Sequence, residues 1–188
     1  RTTLSNDLDA SKISLGAGDI FDLTPKELVT SDEGHAGTQH KFSCKLTKLG
    51  YVSTDVKQGK VFLLQGFTDL VEISKLNMRN FFRDFMPEDI GDNPFMHDGI
   101  TTALDEKYNR LLITFNKDQE SFTISYAPEK QGWVSYHSYQ PSVLYSMRKN
   151  QLFSINNGYN NEGETEPGYF GVYLHNDIDN GLRGVYYN

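Results

Sequence analysis

Several common features are scarce or missing in this chain of 188 residues. A single cysteine, Cys44, excludes an intrachain disulfide and any metal site built from several cysteines. No apolar run approaches the roughly twenty residues that cross a bilayer, so we expect no membrane insertion by this segment. The 18 Lys and Arg are dispersed among 25 Asp and Glu, for a formal net charge of −7. The surface as a whole should therefore not attract nucleic acid.

Motifs that would carry chemistry are missing as well. The five histidines have no metal-binding spacing, and the chain has neither a glycine-rich phosphate loop nor a GxSxG nucleophile motif. Cys44 would need a partner as a catalytic thiol, but residues four apart in a strand, such as His40, lie about 13 Å away. We interpret Cys44 as a small buried side chain. The sequence thus predicts no catalytic, cofactor-binding or metal-binding residue, and no enzyme.

Aromatic residues are abundant, at 13% of the chain, whereas the hydrophobic fraction is only 37%. That balance favours half-exposed sheets over a buried parallel sheet. Residues 100–139 show the clearest pattern, with four short β-branched or aromatic runs at residues 100–104, 110–115, 121–126 and 133–137. Their starts lie roughly ten residues apart, which is typical of an antiparallel meander. Leu111, Ile113 and Phe115 alternate with other residues, and a period of two predicts strands.

Two further units have a similar order of parts, at about residues 50–73 and 142–187. A local pattern recurs in them: Asp55 stands four before Gly59, Asp105 four before Asn109, and, more weakly, Ser146 four before Asn150. An Asp before a tight turn bonds the backbone of the turn, and Gly or Asn tolerates positive φ. A repeat of about 40–50 residues made of short strands indicates propeller blades. The predicted fold is all-β, with antiparallel meanders forming part of a β-propeller.

The remaining segments complete the predicted organisation. Residues 1–37 are predicted to be an extended N-terminal arm, and residues 38–188 a partial propeller-like domain. Residues 74–86 are predicted to be a helical insertion with Ser74 as its N-cap. Its apolar stripe comprises Met78, Phe81, Phe82 and Phe85. We expect the stripe either to pack under the sheet of its own chain or to dock on a neighbouring subunit.

Several phrases of the sequence, taken together, resemble the muzzle or tail-hub proteins of crAss-like bacteriophages. They are HKFSCKLT at residues 40–47, LGY at 49–51, QGKVF at 58–62, EIS at 72–74, NFFR at 80–83, the pattern of Asp105, Tyr108, Asn109 and Arg110, SY at 125–126, GWVS at 132–135 and HSYQP at 137–141. The resemblance covers roughly residues 37–175.

The resemblance implies a virion structural protein of a short-tailed phage, in the muzzle or nozzle ring around the DNA exit channel. The implied partners are other copies and remaining segments of the same tail protein and neighbouring tail ring proteins, while DNA passes through the channel without specific binding. Members of that family are far longer, and a closed propeller needs about four to eight blades. We therefore expect this chain to be a fragment. The alternative is a glycan-binding or glycan-cleaving propeller that recognises the host surface, since exposed aromatic rings stack on sugars.

Overall fold

The computed structural model of the chain describes residues 34–66, 68–86, 90–94, 98–117, 121–137, 139–147, 151–159, 165–174 and 183–187. Within these residues lie twelve strands and one α-helix, α1, at Arg79–Phe85. The strands form three four-stranded antiparallel sheets, each following chain order. An all-β fold of antiparallel meanders with one short helix is therefore confirmed.

The bounds of the strands show how the chain divides into sheets. The first sheet holds β1 Lys45–Thr47, β2 Gly50–Asp55, β3 Lys60–Gln65 and β4 Asp69–Glu72. The second holds β5 Gly99–Asp105, β6 Arg110–Asn116, β7 Phe122–Ala127 and β8 Gly132–His137. The third holds β9 Val143–Met147, β10 Gln151–Tyr159, β11 Thr165–Leu174 and β12 Arg183–Tyr187.

The repeated turn pattern marks hairpins, but not equivalent places in the sheets. Gly59 (φ 62°) and Asn109 (φ 46°) both adopt the left-handed conformation that the pattern predicts. Asp55 Oδ1 accepts the backbone N–H of Gln58 at 3.3 Å, as expected for a residue that fixes its turn. However, the Asp55 hairpin joins the second and third strands of its sheet, whereas the Asp105 hairpin joins the first and second.

Strands β5, β6 and β7 of the second sheet are buried on both faces, whereas β8 is partly exposed. On one face Leu111, Ile113 and their neighbours pack against the first sheet, in a core that includes Val52, Val61 and Leu63. On the other face a smaller core contacts the third sheet and comprises Ala103, Leu112, Leu144 and Leu152. Because side chains alternate along a strand, the adjacent residues Leu111 and Leu112 enter different cores. The three sheets therefore stack face to face.

Strand β5 lies at the centre of the stack, and all seven of its residues are buried. Its Thr102 N–H donates to the carbonyl of Phe42, just before β1, at 3.0 Å. Its Thr101 Oγ1 accepts the N–H of Leu144 in β9 at 2.9 Å. The opening parts of the three sheets thus lie together. The described residues form no closed propeller, so the partial β-propeller remains a prediction.

The predicted helix at residues 74–86 begins later than expected, and its N-cap assignment was wrong. Residues Ile73–Lys75 form a 3-10 turn, Asn77 adopts φ 64°, and the helix proper follows at Arg79. The Ser74 hydroxyl accepts the N–H of Val61 at 3.1 Å and donates to Glu72 Oε1 at 3.1 Å, so it bonds the sheet. Among the described residues no helix is both long and apolar enough to cross a membrane.

Only the end of the predicted N-terminal arm falls within the described residues. There the chain follows the outer face of the first sheet, since Ser53 Oγ donates to the carbonyl of Ala36 at 2.9 Å and Gly34 lies against the buried ring of Phe62. The Gln39 amide donates to Asp55 Oδ1 at 3.2 Å. Residues 1–33 of the predicted arm lie outside the described part of the chain, and the domain boundaries remain predictions.

Candidate functional site

Helix α1 and the outer strands of the second sheet bring together a cluster of aromatic rings. The predicted stripe divides in the structure: Phe82 is buried, whereas Phe85 is 61% exposed. The Phe82 ring lies with its centroid 6.3 Å from that of Phe115 and 4.8 Å from that of Trp133. The helix is therefore attached to the second sheet through Phe82, and its last turn remains open to solvent.

Two stacked ring pairs define the open side of the cluster. Phe81 and Phe85 stack with centroids 5.1 Å apart and planes at 25°. Phe122 and Tyr136 stack at 5.9 Å and 17°. The two pairs meet edge to face, because the planes of Phe81 and Phe122 lie at 77° with centroids 5.6 Å apart. The four rings therefore form a corner, with Phe81 and Phe85 on one side and Phe122 and Tyr136 on the other.

This corner opens into a pocket of about 350 Å³, which we call the aromatic pocket. It is lined by Asp84, Phe85, Ile90, Phe115, Lys117, Ser121, Phe122 and Tyr136. Tyr136 is 67% exposed, so two rings of the lining, those of Phe85 and Tyr136, are largely exposed to solvent. The volume lies at the lower end of the range for ligand sites, and the lining combines aromatic rings with polar groups.

The acidic side chain of the aromatic pocket, Asp84, is held by the neighbouring Arg83. Arg83 Nε donates to Asp84 Oδ1 at 2.8 Å, and Arg83 Nη2 contacts Oδ2 at 3.4 Å. This exposed pair holds the carboxylate at the end of α1. Lys117, at the end of β6, and Ser121, before β7, line the same pocket.

The sequence predicted the helical stripe but no pocket, and of the stripe only Phe85 lines the pocket. The i, i+3, i+4, i+7 spacing placed Phe81, Phe82 and Phe85 on one helix face, and it left open whether the stripe was buried or available to a partner. Tyr136 and Phe122 were predicted only as strand residues. Their position beside Phe85 depends on how α1 folds over the sheet, which no local pattern reports.

A second polar cluster surrounds His40, which is buried. Its Nδ1 lies 4.0 Å from Asp92 Oδ1, and a Cβ at Gly99 would lie 3.5 Å from the same nitrogen. Burial lowers the pKa of His40, while Asp92 and Asp98 act against that shift. The cluster thus places a buried histidine beside a carboxylate, next to Gly99 at the start of β5.

Cys44 does not lie in an arrangement that would activate a thiol. It is half-buried, and its Sγ accepts the Tyr51 hydroxyl at 2.9 Å. Burial, together with Cys44, raises the pKa of Tyr51 to about 12. The prediction of a small buried side chain is therefore met only in part, because Cys44 is half-buried.

The third polar cluster lies at the turn after β5. Arg110 Nε donates to Asp105 Oδ2 at 2.9 Å, and the Asp105 side chain is almost fully buried. The Arg110 guanidinium also lies 4.8 Å from the centroid of the Tyr108 ring. Asp105 therefore holds its hairpin through an ion pair with the first residue of β6. Burial raises the pKa of nearby Tyr139 to about 12.

In the part of the chain that the structure describes, no group of three or more His, Cys, Asp or Glu side chains is arranged to hold a metal ion. No protein-family model matches the sequence, and comparisons with curated proteins and with solved structures gave no significant match. A functional interpretation of this chain therefore depends on its own geometry and on the sequence segments that resemble phage tail proteins.

Proposed function

We propose that this chain is a structural part of a phage tail, within the muzzle or nozzle ring around the DNA exit channel. The observation that carries the proposal is the stack of four-stranded meanders, in which β5, β6 and β7 of the second sheet are buried on both faces. A propeller is built by repetition of such four-stranded sheets, so further segments of the tail protein would extend this stack.

The third sheet supports continuation of the stack. Leu144 and Leu152 pack towards the second sheet. The alternate residues Val143, Phe153 and Ile155 occupy the opposite face and belong to neither core among the described residues. A sheet with apolar residues on both faces is normally covered on both. Another segment of the same tail protein, or another copy, would supply that cover.

The charge of the chain agrees with a place beside a DNA channel. A formal net charge of −7 opposes binding to the phosphate backbone, so DNA would pass without specific contacts. The partners in this proposal are other copies and segments of the same tail protein and neighbouring ring proteins, and the location is the virion.

The proposal is tested in purified virions. Mass spectrometry of intact particles should detect peptides of this chain, and gold-labelled antibodies raised against it should bind at the distal end of the tail. Particles that contain no such peptides would contradict the proposal, as would labelling on the capsid alone.

A matched pair of variants tests the stacking itself. Phe153→Arg places a charge on the far face of the third sheet and should prevent ring assembly of the tail protein, measured by electron microscopy. Leu46→Arg, at a position that is 81% exposed, should leave assembly intact. Normal rings with Phe153→Arg would show that this face is not an interface.

A further inference from the structure

We propose that the aromatic pocket between α1 and strands β7 and β8 binds a saccharide through one pyranose ring. The inference goes beyond the assembly role and does not depend on it. It rests on the shape of the pocket, its exposed rings and the polar groups at its edge.

The exposed rings match the apolar faces of a sugar. A pyranose has C–H groups on one or both faces and hydroxyl groups around its edge, so it stacks on an aromatic ring and forms hydrogen bonds sideways. Phe85 and Tyr136 are 61% and 67% exposed, and each is held by a stacked partner, Phe81 and Phe122 respectively. Rings supported in this way lose little freedom when a ligand binds.

The polar groups favour a sugar over an apolar side chain of a protein. Asp84 supplies acceptor oxygens, Lys117 a donor, and Ser121 a hydroxyl, all lining the same pocket as the rings. The Asp84 side chain is 53% exposed, and a hydrocarbon group over it would remove its charge from water without supplying a hydrogen bond, which is costly. A hydroxyl both donates to a carboxylate and accepts from an ammonium, so a sugar edge satisfies both.

The affinity for a single sugar should be low. A monosaccharide has about twelve non-hydrogen atoms, which corresponds to a dissociation constant in the millimolar range. In the proposed ring of subunits, several copies of the pocket would bind a multivalent glycan with a much higher effective affinity, and this gain alone rests on the proposed function.

Saturation-transfer NMR on the 188-residue chain tests the inference. The probes are methyl pyranosides of glucose, galactose, mannose and N-acetylglucosamine, one at a time. At least one should receive saturation, mainly at its ring C–H protons, with a dissociation constant in the millimolar range. Tyr136→Val and Phe85→Leu should each weaken binding by about fivefold or more, since each removes a stacking ring.

Tyr145→Val is the matched control, since Tyr145 is a partly exposed strand tyrosine, in β9, outside the pocket. It should leave pyranoside binding unchanged. If Tyr136→Val fails to fold by circular dichroism, Phe85→Leu decides, because Phe85 is an exposed residue of the last helical turn.

Three results would overturn the inference. The first is the absence of saturation transfer to any of the four pyranosides at tens of millimolar. The second is pyranoside binding that both pocket variants leave unchanged. The third is binding of N-acetyl-phenylalanine amide, dependent on Tyr136, with no pyranoside binding, which would assign the pocket to a protein partner. Neither result bears on whether the chain lies in a tail ring, which the virion experiments test separately.

Discussion

The indole N–H of Trp133 donates to the carbonyl of Ile73 at 3.0 Å, across sixty residues of sequence. Trp133 lies in β8, the last strand of the second sheet, and Ile73 directly follows β4, the last strand of the first. The outer edges of two sheets are therefore joined by one hydrogen bond. The Trp133 ring also packs against Phe82 of α1, so sheet, helix and turn meet at this point.

Trp133→Phe should destabilise the chain by about 1–3 kcal/mol, because the carbonyl of Ile73 loses its donor and part of the ring contact with Phe82 is lost. Unfolding in urea should be followed by circular dichroism, because the substitution removes the sole tryptophan and with it the tryptophan fluorescence signal. Val134→Ala, at the exposed neighbouring position, should change stability by less than about 0.5 kcal/mol. Equal effects of the two substitutions would show that the bond does not form.

Leu111→Ala and Leu112→Ala should both be strongly destabilising, by about 2–5 kcal/mol each. The two residues are adjacent in β6, and both are fully buried in different cores. In a sheet with one solvated face, one of two successive residues would tolerate the change. Urea unfolding of both variants therefore tests whether the third sheet covers the second. A small effect of Leu112→Ala alone would contradict the stack.

The strands of the second sheet were predictable because local alternation and burial agree there. The predicted runs at residues 110–115 and 121–126 correspond closely to β6 and β7. What alternation did not show was that Leu112, on the face opposite Leu111, is also buried. That burial comes from the third sheet, and the pattern of one strand does not report what covers it.

The role of Ser74 and the existence of the aromatic pocket depend on tertiary contacts that the local sequence does not predict. Ser74 has the residue type of an N-cap, but its hydroxyl is engaged by the backbone of Val61 in a different strand. The pocket joins Phe85 and Tyr136, which lie in different elements, so its existence depends on the docking of α1. Neither contact leaves a sequence pattern of its own.

Acidification should reduce stability through His40. Burial lowers the folded-state pKa of His40 below its ordinary value of 6.5, so the unfolded chain binds a proton more readily. The stabilisation is fully present above pH 6.5 and is lost as the pH falls through the folded-state pKa. Urea midpoints measured from about pH 7.5 down to pH 5 should decrease, and His40→Gln should make the decrease smaller.

The control for that titration is His35→Gln, since His35 is exposed. This variant should keep the pH dependence of the unmodified chain. If His40→Gln leaves the slope of stability against pH unchanged, the lowered pKa of His40 is not the cause of the acid sensitivity.

Gly59→Ala and Gly66→Ala separate the cost of a left-handed backbone from the cost of contact with α1. Both glycines have φ 62°, so an alanine at either should cost about 1–2 kcal/mol. At Gly59 the added Cβ would also lie 3.3 Å from the carbonyl oxygen of Phe82, whereas nothing lies within 4 Å of a Cβ at Gly66. Gly59→Ala should therefore be the more destabilising by urea unfolding, because the helix must shift. It should also disturb the aromatic pocket, as the helix that moves carries Phe85. Equal losses at the two positions would mean that the β2–β3 turn does not position α1, and the pocket would then depend on Phe82 and Trp133 alone.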